Sequence, residues 1–219
     1  MRLLDLFSGA GGAAMGYHRA GFEVVGVDHV MQPRYPFEHY VADALEFLAA
    51  HGHEFDAVHA SPPCHDHSSL SARTGLDGTA GLLEQARTAL RAWGGPYVIE
   101  NVAGAPMPGA LVLCGTEFGL SAQTPSGRRW LRRHRQFESN VFIPGAGGCN
   151  CAGRSIGGVY GDGGGGQMAR GWKLVGALAE EAMGIDWMSR RELSQAIPPA
   201  YTRHVGEWLM AALTAGVAA

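Results

Sequence analysis

The N-terminal segment is the feature that most constrains what this chain can fold into. Residues 2–7 form a short apolar run, three glycines follow between Ser8 and Gly12, and residues 13–20 are compatible with a helix. This order predicts a strand, a glycine loop and a helix. A β-branched strand is expected over 23–27, so the chain opens with a β-α-β unit.

The same alternation continues to about residue 103. Strands are expected at 40–42, 55–60 and 97–99, and helices at 44–50 and 81–93. Alternating strands and helices predict a doubly wound, mainly parallel sheet, whose ligands bind at the carboxyl ends of the strands. The chemically rich residues follow such ends, which favours a single cleft. They are the glycine loop, Asp28, Asp43, Cys64 and Glu100.

The pattern is lost beyond about residue 103. Residues 139–172 are rich in glycine and proline, and we expect loops or a small irregular lobe there. Helical patterns return at 174–183 and 204–215. The sequence is therefore divided into a core (1–138), the irregular region, and C-terminal helices that complete the core (173–219).

Composition narrows the class of protein. The chain has 219 residues, of which 17% are charged, and a formal net charge of −3. This suits one globular domain and argues against global disorder. No apolar run approaches the roughly 20 residues that span a bilayer, and Asp5 interrupts the first run before a secretory signal can form. We expect a cytoplasmic, monomeric protein without a membrane partner. Four cysteines are too few for a disulfide scaffold, so reduced thiols are expected.

A basic cluster is concealed by the modest net charge. Five arginines fall within eight residues, which predicts a local anion site. A solvated charged face is the alternative. The five are Arg128, Arg129, Arg132, Arg133 and Arg135.

The glycine loop and Asp28 predict a site for a nucleoside-containing cofactor. Gly9, Gly11 and Gly12 would let the backbone approach a ligand at a helix N-terminus, and Asp28 could accept from a ribose hydroxyl pair. The spacing does not match Gly-x-Gly-x-x-Gly, which disfavours a nicotinamide or flavin cofactor. A purely structural glycine turn is the alternative.

Cys64 and Glu100 together indicate nucleophilic chemistry. A lone cysteine is more often a packing residue, but Glu100 ends the neighbouring strand and would face the same cleft. A carboxylic acid there could protonate a ring nitrogen. A thiol needs that assistance if it is to add to an electron-poor heterocycle.

Five motifs follow one another in a fixed order. They are Asp5-Leu6-Phe7-Ser8-Gly9-Ala10-Gly11-Gly12, then Pro63-Cys64 with Ser68, then Glu100-Asn101-Val102, then Arg133-His134-Arg135, and finally Gln195-Ala196-Ile197-Pro198-Pro199-Ala200-Tyr201. In this order they resemble the DNA cytosine-5 methyltransferase family. The resemblance covers nearly the whole chain except about 139–172, and it implies a Rossmann-like S-adenosylmethionine-dependent methyltransferase fold. Residues 139–172 would then be a minimal target-recognition region.

The resemblance implies that S-adenosylmethionine lies on the glycine loop. Phe7 would contact the adenine, Asp28 the ribose and Asp43 the adenine amino group. The complete set of cofactor contacts would be Phe7, Ser8, Gly9, Ala10, Gly11, Gly12, Asp28, Asp43, Pro63 and Gln195.

A catalytic set is implied in the same way. Cys64 would add to C6 of a cytosine flipped out of double-stranded DNA while Glu100 engages N3, and C5 would then take the methyl group. Arg135 and Arg133 would hold the cytosine carbonyl or adjacent phosphates. Further contacts to nucleic acid would come from Ser68, Asn101, Arg128, Arg129 and Arg132.

Departures from the family pattern concern specificity. His65 and His67 stand where the family usually has Gln and an aromatic residue, and Ser194-Gln195 where it has Gly-Asn. The interval 139–172 is short, so we expect a short or relaxed target, as in compact phage-type enzymes, and a phage or prophage gene in a bacterial host. Candidate base readers there are Asn150, Arg154, Gln167 and Arg170. A tRNA cytosine-5 methyltransferase and a non-catalytic nucleic-acid-binding relative are the alternatives.

Cys149 and Cys151 leave one question open. With Cys114 or His134 they could bind zinc, but the Cys-x-Cys spacing is tighter than usual and no second pair is evident. Two loop thiols are the alternative. We assign no metal from the sequence.

Overall fold

The computed structural model describes residues 1–63, 81–161, 165–168 and 171–217. Its N-terminal half alternates strands and helices in the expected order. The elements are β1 (Arg2–Leu6), α1 (Gly12–Arg19), β2 (Glu23–Asp28), β3 (Glu38–Val41), α2 (Ala44–His51), β4 (Ala57–Ala60), α3 (Leu82–Trp93) and β5 (Tyr97–Val102).

The C-terminal half contains shorter strands and three further helices. These elements are β6 (Leu111–Leu113), β7 (Ser121–Thr124), β8 (Gly127–Leu131), β9 (Arg135–Ser139), β10 (Ile156–Gly158), β11 (Gly166–Met168), β12 (Gly171–Lys173), α4 (Ala177–Met183), α5 (Arg190–Gln195) and α6 (Pro199–Val217). No helix in this described part of the chain is both long and apolar enough to cross a bilayer.

The larger sheet has seven strands in the order β3-β2-β1-β4-β5-β9-β6. Its first five strands are parallel, while β9 runs antiparallel to β5 and β6 antiparallel to β9. The predicted doubly wound, mainly parallel sheet is therefore confirmed. The carboxyl ends of β1, β2, β4 and β5 meet at one edge, where the cleft was expected.

Side chains of β1 point alternately to the two faces of the larger sheet, and each face packs against its own layer of helices. Leu3 packs with Tyr17 of α1 and Tyr201 of α6. Leu4 packs on the opposite side, in the cluster that holds Leu48 of α2. Successive side chains of a strand point to opposite faces, so α1 and α6 cover one face of the sheet while α2 and α3 cover the other.

The smaller sheet has five strands in the order β11-β12-β10-β8-β7. The predicted boundary at residue 138 does not separate the two sheets, because β7 and β8 precede it and β9 returns to the larger sheet. Its central pairing is non-local: Trp130 of β8 lies opposite Ile156 of β10, which local composition does not reveal. Helix α4 packs its Met183 into the cluster with Leu131 of β8. The segment 173–219 therefore covers both sheets.

Two helices start three or more residues away from the expected position, and one helix was not predicted. Helix α4 begins at Ala177, later than expected, because β12 extends to Lys173. Helix α6 begins at Pro199, where proline suits the first helical position. Helix α5 was missed, although its capping box was visible: Ser189 Oγ accepts from Glu192 N (3.4 Å), and Glu192 Oε2 accepts from Ser189 N (2.6 Å).

Candidate active site

The loop after β1 is fixed to the end of β2. Phe7 and Gly9 have φ values of 58° and 50°, in the left-handed region. Gly9 N donates to Asp28 Oδ2 (3.0 Å), and Ser8 N donates to Val27 O (3.1 Å). A non-glycine residue in this conformation is strained, and such strain is found at ligand sites.

The three loop glycines differ in what surrounds them. A Cβ on Gly9 would meet no atom within 4 Å, so a ligand can approach this position. A Cβ on Gly11 would lie 2.7 Å from Pro36 Cδ, and one on Gly12 would lie 2.6 Å from Ile197 O. Protein atoms therefore fill the side-chain space beside Gly11 and Gly12, and the approach of a ligand to the backbone of these two residues stays a prediction.

The two acidic residues at the strand ends already have structural partners. Asp28 is buried, and its Oδ1 accepts from Val30 N (3.2 Å). A carboxylate offers about four acceptor positions, so Asp28 retains room for a ribose hydroxyl. Asp43 is exposed and caps α2, because its Oδ1 accepts from Leu45 N and Glu46 N, each at 2.9 Å. A contact from Asp43 to an adenine amino group stays a prediction.

Two apolar side chains beside Asp28 were not singled out from the sequence. Val30 is 45% exposed and Met31 is 67% exposed. Apolar side chains at the mouth of a polar cleft suit the face of a nucleobase. The available signal was their position immediately after an acidic strand end.

The remaining predicted cofactor residues lie around the same edge. Ser8 Oγ is buried and has no hydrogen-bond partner within the described ranges. Ala10 O accepts a hydrogen bond from Trp187 Nε1 (3.0 Å), so the Ala10 carbonyl holds the Trp187 side chain in place. Pro63 is half-buried after β4, and Gln195 is exposed at the end of α5.

Glu100 is the buried acid of the cleft. Its side chain lies in β5, and Arg135 Nε of β9 approaches its Oε1 at 3.0 Å. Their orientation does not make a hydrogen bond, and Oε1 has no such partner among the described residues. Burial raises the pKa of Glu100 by more than Arg135, Arg133 and Ser61 lower it. The protonated form of this carboxyl group is therefore favoured relative to that of an exposed glutamate.

A chain of buried polar groups lies behind Glu100 and was missed in the sequence. Tyr17 Oη is 2.9 Å from His59 Nδ1, and His59 Nε2 is 2.7 Å from Ser61 Oγ. Ser61 in turn hydrogen-bonds to Glu100. Burial lowers the pKa of His59 to about 3, so its imidazole is neutral. A histidine within the predicted apolar strand 55–60 was the available signal.

The predicted nucleophile Cys64 and the predicted nucleic-acid contact Ser68 lie outside the described residues. Asn101 Nδ2 donates to Pro62 O (3.1 Å), two residues before Cys64. Asn101 is only 3% exposed, so its side chain holds this part of the chain in place. Its predicted contact with nucleic acid stays a prediction.

The paired arginines of the fourth motif have different environments. Arg135 lies beside Glu100, and its predicted catalytic contact stays a prediction. Arg133 is 6% exposed, and it donates to Val159 O (2.7 Å) and Ser194 O (2.9 Å). The guanidinium of Arg133 therefore joins the smaller sheet to the end of α5, and its predicted substrate contact stays a prediction.

Arg128 and Arg154 form a basic and aromatic face with Trp130 on the smaller sheet, and Arg132 is exposed. The guanidinium carbons of Arg128 and Arg154 lie 5.6 and 3.9 Å from the centroid of the Trp130 ring. Arg129 follows Arg128 in the strand, so it points to the opposite side, where it lies 5.2 Å from the centroid of the Trp172 ring. Such a face can bind phosphates while the rings stack.

Sequence comparisons agree with this arrangement. Residues 1–106 match the model of the family described as C-5 cytosine-specific DNA methylase. A type II methyltransferase of Fusobacterium nucleatum is 33% identical over 90 residues, which are 38% of this chain and 26% of that protein. One of Herpetosiphon aurantiacus is 30% identical over 116 residues, 47% of this chain and 37% of that protein. The matches thus span only about a quarter to two fifths of these relatives.

A solved structure shares the fold over almost the whole length. The methyltransferase EhMeth of Entamoeba histolytica superposes with a TM-score of 0.63 and covers 97% of this chain and 98% of that chain, at 11% identity.

The sheet and its strand-end cleft are those of a Rossmann-like α/β fold, which EhMeth shares. Over residues 1–106 the chain is similar to the C-5 cytosine-specific DNA methylase family. S-adenosylmethionine is the cofactor of this family.

Proposed function

We propose that this chain transfers a methyl group from S-adenosylmethionine to C5 of cytosine in double-stranded DNA. The observation that carries the proposal is Glu100, a buried acid whose pKa is raised and whose Oε1 lacks a hydrogen-bond partner among the described residues. It lies at the sheet edge that also carries the open position at Gly9 and the segment leading into Cys64. A protonated carboxyl group there can donate to N3 of the base.

The residues at the ends of β1 and β2 fit the cofactor. The space beside Gly9 is open to a ligand. Ser8 Oγ is a buried hydroxyl that has no hydrogen-bond partner among the described residues. Asp28 can accept from the ribose, and Val30 and Met31 offer apolar surface to the adenine. When bound, S-adenosylmethionine supplies a methyl group carried on a sulfonium.

The chain supplies the groups that activate cytosine. The Cys64 thiolate adds to C6, while Glu100 gives its proton to N3, so that electron density moves to C5. After C5 has gained the methyl group, a base removes the C5 proton. The electrons of that C–H bond re-form C5=C6 as the C6–S bond breaks, so the Cys64 sulfur leaves as a thiolate and the N3 proton returns to Glu100.

Arg135 positions this acid. Its Nε lies beside Glu100 Oε1, and its Nη1 donates to His134 O (2.9 Å). The remaining guanidinium N–H groups can donate to the cytosine carbonyl, a geometry that suits arginine. A base stacked in a duplex cannot be attacked from its face, so the cytosine must be flipped out.

The basic and aromatic face supports DNA as the substrate. Its arginines can neutralise phosphates, and this part of the binding would fall steeply with salt. The smaller sheet, with the irregular region 139–172, offers few candidate base readers, and each good bidentate contact discriminates by only about 1–3 kcal/mol. We therefore propose a short target, methylated by a monomer.

Methylation of defined nucleic acids tests the proposal. The purified chain is incubated with S-adenosylmethionine and either random-sequence duplex DNA or transfer RNA, and the nucleosides are analysed by mass spectrometry. We expect 5-methylcytosine in the DNA with the wild-type chain and with Glu46→Gln, an exposed change on α2, and none with Cys64→Ser. Product in RNA alone would favour the RNA alternative. If the cofactor binds but neither nucleic acid is methylated, the non-catalytic alternative is favoured.

A further inference from the structure

Three cysteines and one histidine meet between the two sheets. Sγ of Cys114, Cys149 and Cys151 and a ring nitrogen of His134 all lie within 4.8 Å of one another. The Sγ atoms of Cys114 and Cys151 are 3.4 Å apart, and His134 Nε2 is 3.2 Å from Cys149 Sγ. These residues come from three separate segments of the chain, so their convergence is a product of the fold.

The spacing of the four atoms suits a tetrahedral metal ion. Zinc–sulfur and zinc–nitrogen bonds of about 2.3 and 2.0–2.1 Å place ligand atoms about 3.5–3.8 Å from each other. A disulfide would require a sulfur separation of about 2.05 Å, and three thiols cannot all be paired with one another. Soft thiolates with one imidazole are the donor set that selects zinc.

We propose that Cys114, His134, Cys149 and Cys151 bind one Zn²⁺ ion. Four protein ligands close a tetrahedral site, which is the arrangement of structural rather than catalytic zinc. This proposal does not depend on the proposed methyl transfer.

Hydrogen bonds around the cluster hold the proposed ligands in place, which supports a metal site. The hydroxyl of Thr116, which is buried, lies 3.5 Å from Cys114 Sγ and 3.9 Å from Cys149 Sγ. The same hydroxyl accepts from Asn150 N (3.0 Å), which fixes the loop between the last two cysteines. Hydrogen bonds from neighbouring groups orient metal ligands in this way.

The ion would tie the irregular region to the larger sheet. Cys114 follows β6 and His134 precedes β9, two paired strands in which Leu113 lies opposite Arg135. Cys149 and Cys151 lie in the segment that leads to β10 of the smaller sheet. Because Arg135 donates to the carbonyl of His134, the ion would also steady the arginine that faces Glu100.

Metal content of the full chain tests the proposal. Protein expressed in zinc-supplemented medium and purified under reducing conditions, without chelator, is analysed by mass spectrometry for zinc and iron. We expect about one zinc per chain in the wild type and in the control His53→Asn, since His53 is exposed and outside the cluster. Cys149→Ser and Cys151→Ser should each lose most of the zinc. Thr116→Val should weaken the affinity by about 10–100-fold in chelator competition.

Cobalt substitution keeps the test valid if the cysteine variants fail to fold. Co²⁺ added to the metal-stripped wild-type chain should give the strong visible absorption and thiolate charge-transfer bands of a tetrahedral site, and Zn²⁺ should displace them. Wild-type protein that contains no zinc and gives no tetrahedral cobalt spectrum would overturn the proposal. Iron in place of zinc, or a disulfide between Cys114 and Cys151 in reduced protein, would overturn it equally.

Discussion

At the scale of single residues, the proton on Glu100 is the property on which the proposed chemistry depends. Arg135 and Ser61 both favour the ionised form, yet burial outweighs them and raises the pKa. The protonated form is therefore present over a wider pH range than for an exposed glutamate. Ionisation of this group in the folded state is costly, so its contribution to stability is lost as pH rises through the raised pKa.

Glu100→Gln tests this acid directly. The amide occupies the same volume but cannot transfer a proton to N3, so we expect the rate of methyl transfer to fall by about 10²–10⁴-fold. In the wild type, the rate should decline as pH rises through the raised pKa of Glu100. The rate of the variant should lack that decline, while Glu46→Gln should retain it. A Glu100→Gln chain with the wild-type rate would contradict the assigned role.

At the scale of structural elements, the glycines of the loop between β1 and α1 have two different roles: Gly12 allows close packing, and Gly9 leaves room for a ligand. Gly12→Ala should destabilise the fold by about 1–3 kcal/mol, because its Cβ would press on the Ile197 carbonyl. Gly9→Ala should cost about 1–2 kcal/mol through its left-handed φ, but it should in addition weaken S-adenosylhomocysteine binding. Chemical unfolding and calorimetric titration measure the two effects. If both variants bind the ligand equally well, Gly9 is not the point of approach.

The arginines of β8 and of the segment that follows it also have two different roles, one in stability and one in DNA binding. Arg133→Ala removes two hydrogen bonds from a charged donor to buried carbonyls, so we expect a loss of about 2–5 kcal/mol of stability. Arg128→Ala should leave unfolding nearly unchanged, because Arg128 is exposed. It should instead weaken DNA binding and reduce the salt slope by about one. Unfolding curves and binding at several salt concentrations distinguish the two. Equal stability of both variants would contradict the structural role of Arg133.

How far the elements could be predicted depends on how local their signals are. The strands and helices up to β5 follow the sequence pattern closely, because apolar runs and glycine stops are read within one segment. Strands β6 to β12 are three to five residues long, and several pair with distant segments, as β8 does with β10. The capping box of α5 was the exception, a local signal that was available and not used.

Across the whole molecule, the sequence located the cleft better than it assigned the roles within it. The cleft follows from strand order, so Gly9, Asp28 and Glu100 could be placed together. The burial of individual side chains could not be predicted from strand order, because Asn101 and Arg133 are enclosed by residues distant in the chain. The four members of the cysteine and histidine cluster likewise come from three separate segments, which no single spacing encodes.

The two sheets are joined by contacts that cross the whole chain. Arg133 donates to Val159 O and Ser194 O, and its own carbonyl accepts from Tyr201 Oη (2.6 Å). These bonds connect the segment before β9, the end of β10, α5 and α6. The smaller sheet and its basic face are thus held against the edge of the larger sheet that carries Glu100.

Covalent trapping on fluorinated DNA tests the central claim most directly. A library of duplexes carrying 5-fluorocytosine is offered to the chain with S-adenosylmethionine. Fluorine at C5 cannot leave as a proton does, so the bond between the Cys64 sulfur and C6 should persist. We expect a complex that survives denaturation, contains one DNA duplex per chain, maps to the peptide with Cys64, and is absent with Cys64→Ser. A wild-type chain that binds S-adenosylhomocysteine but forms no adduct with any of these duplexes would contradict the proposed function.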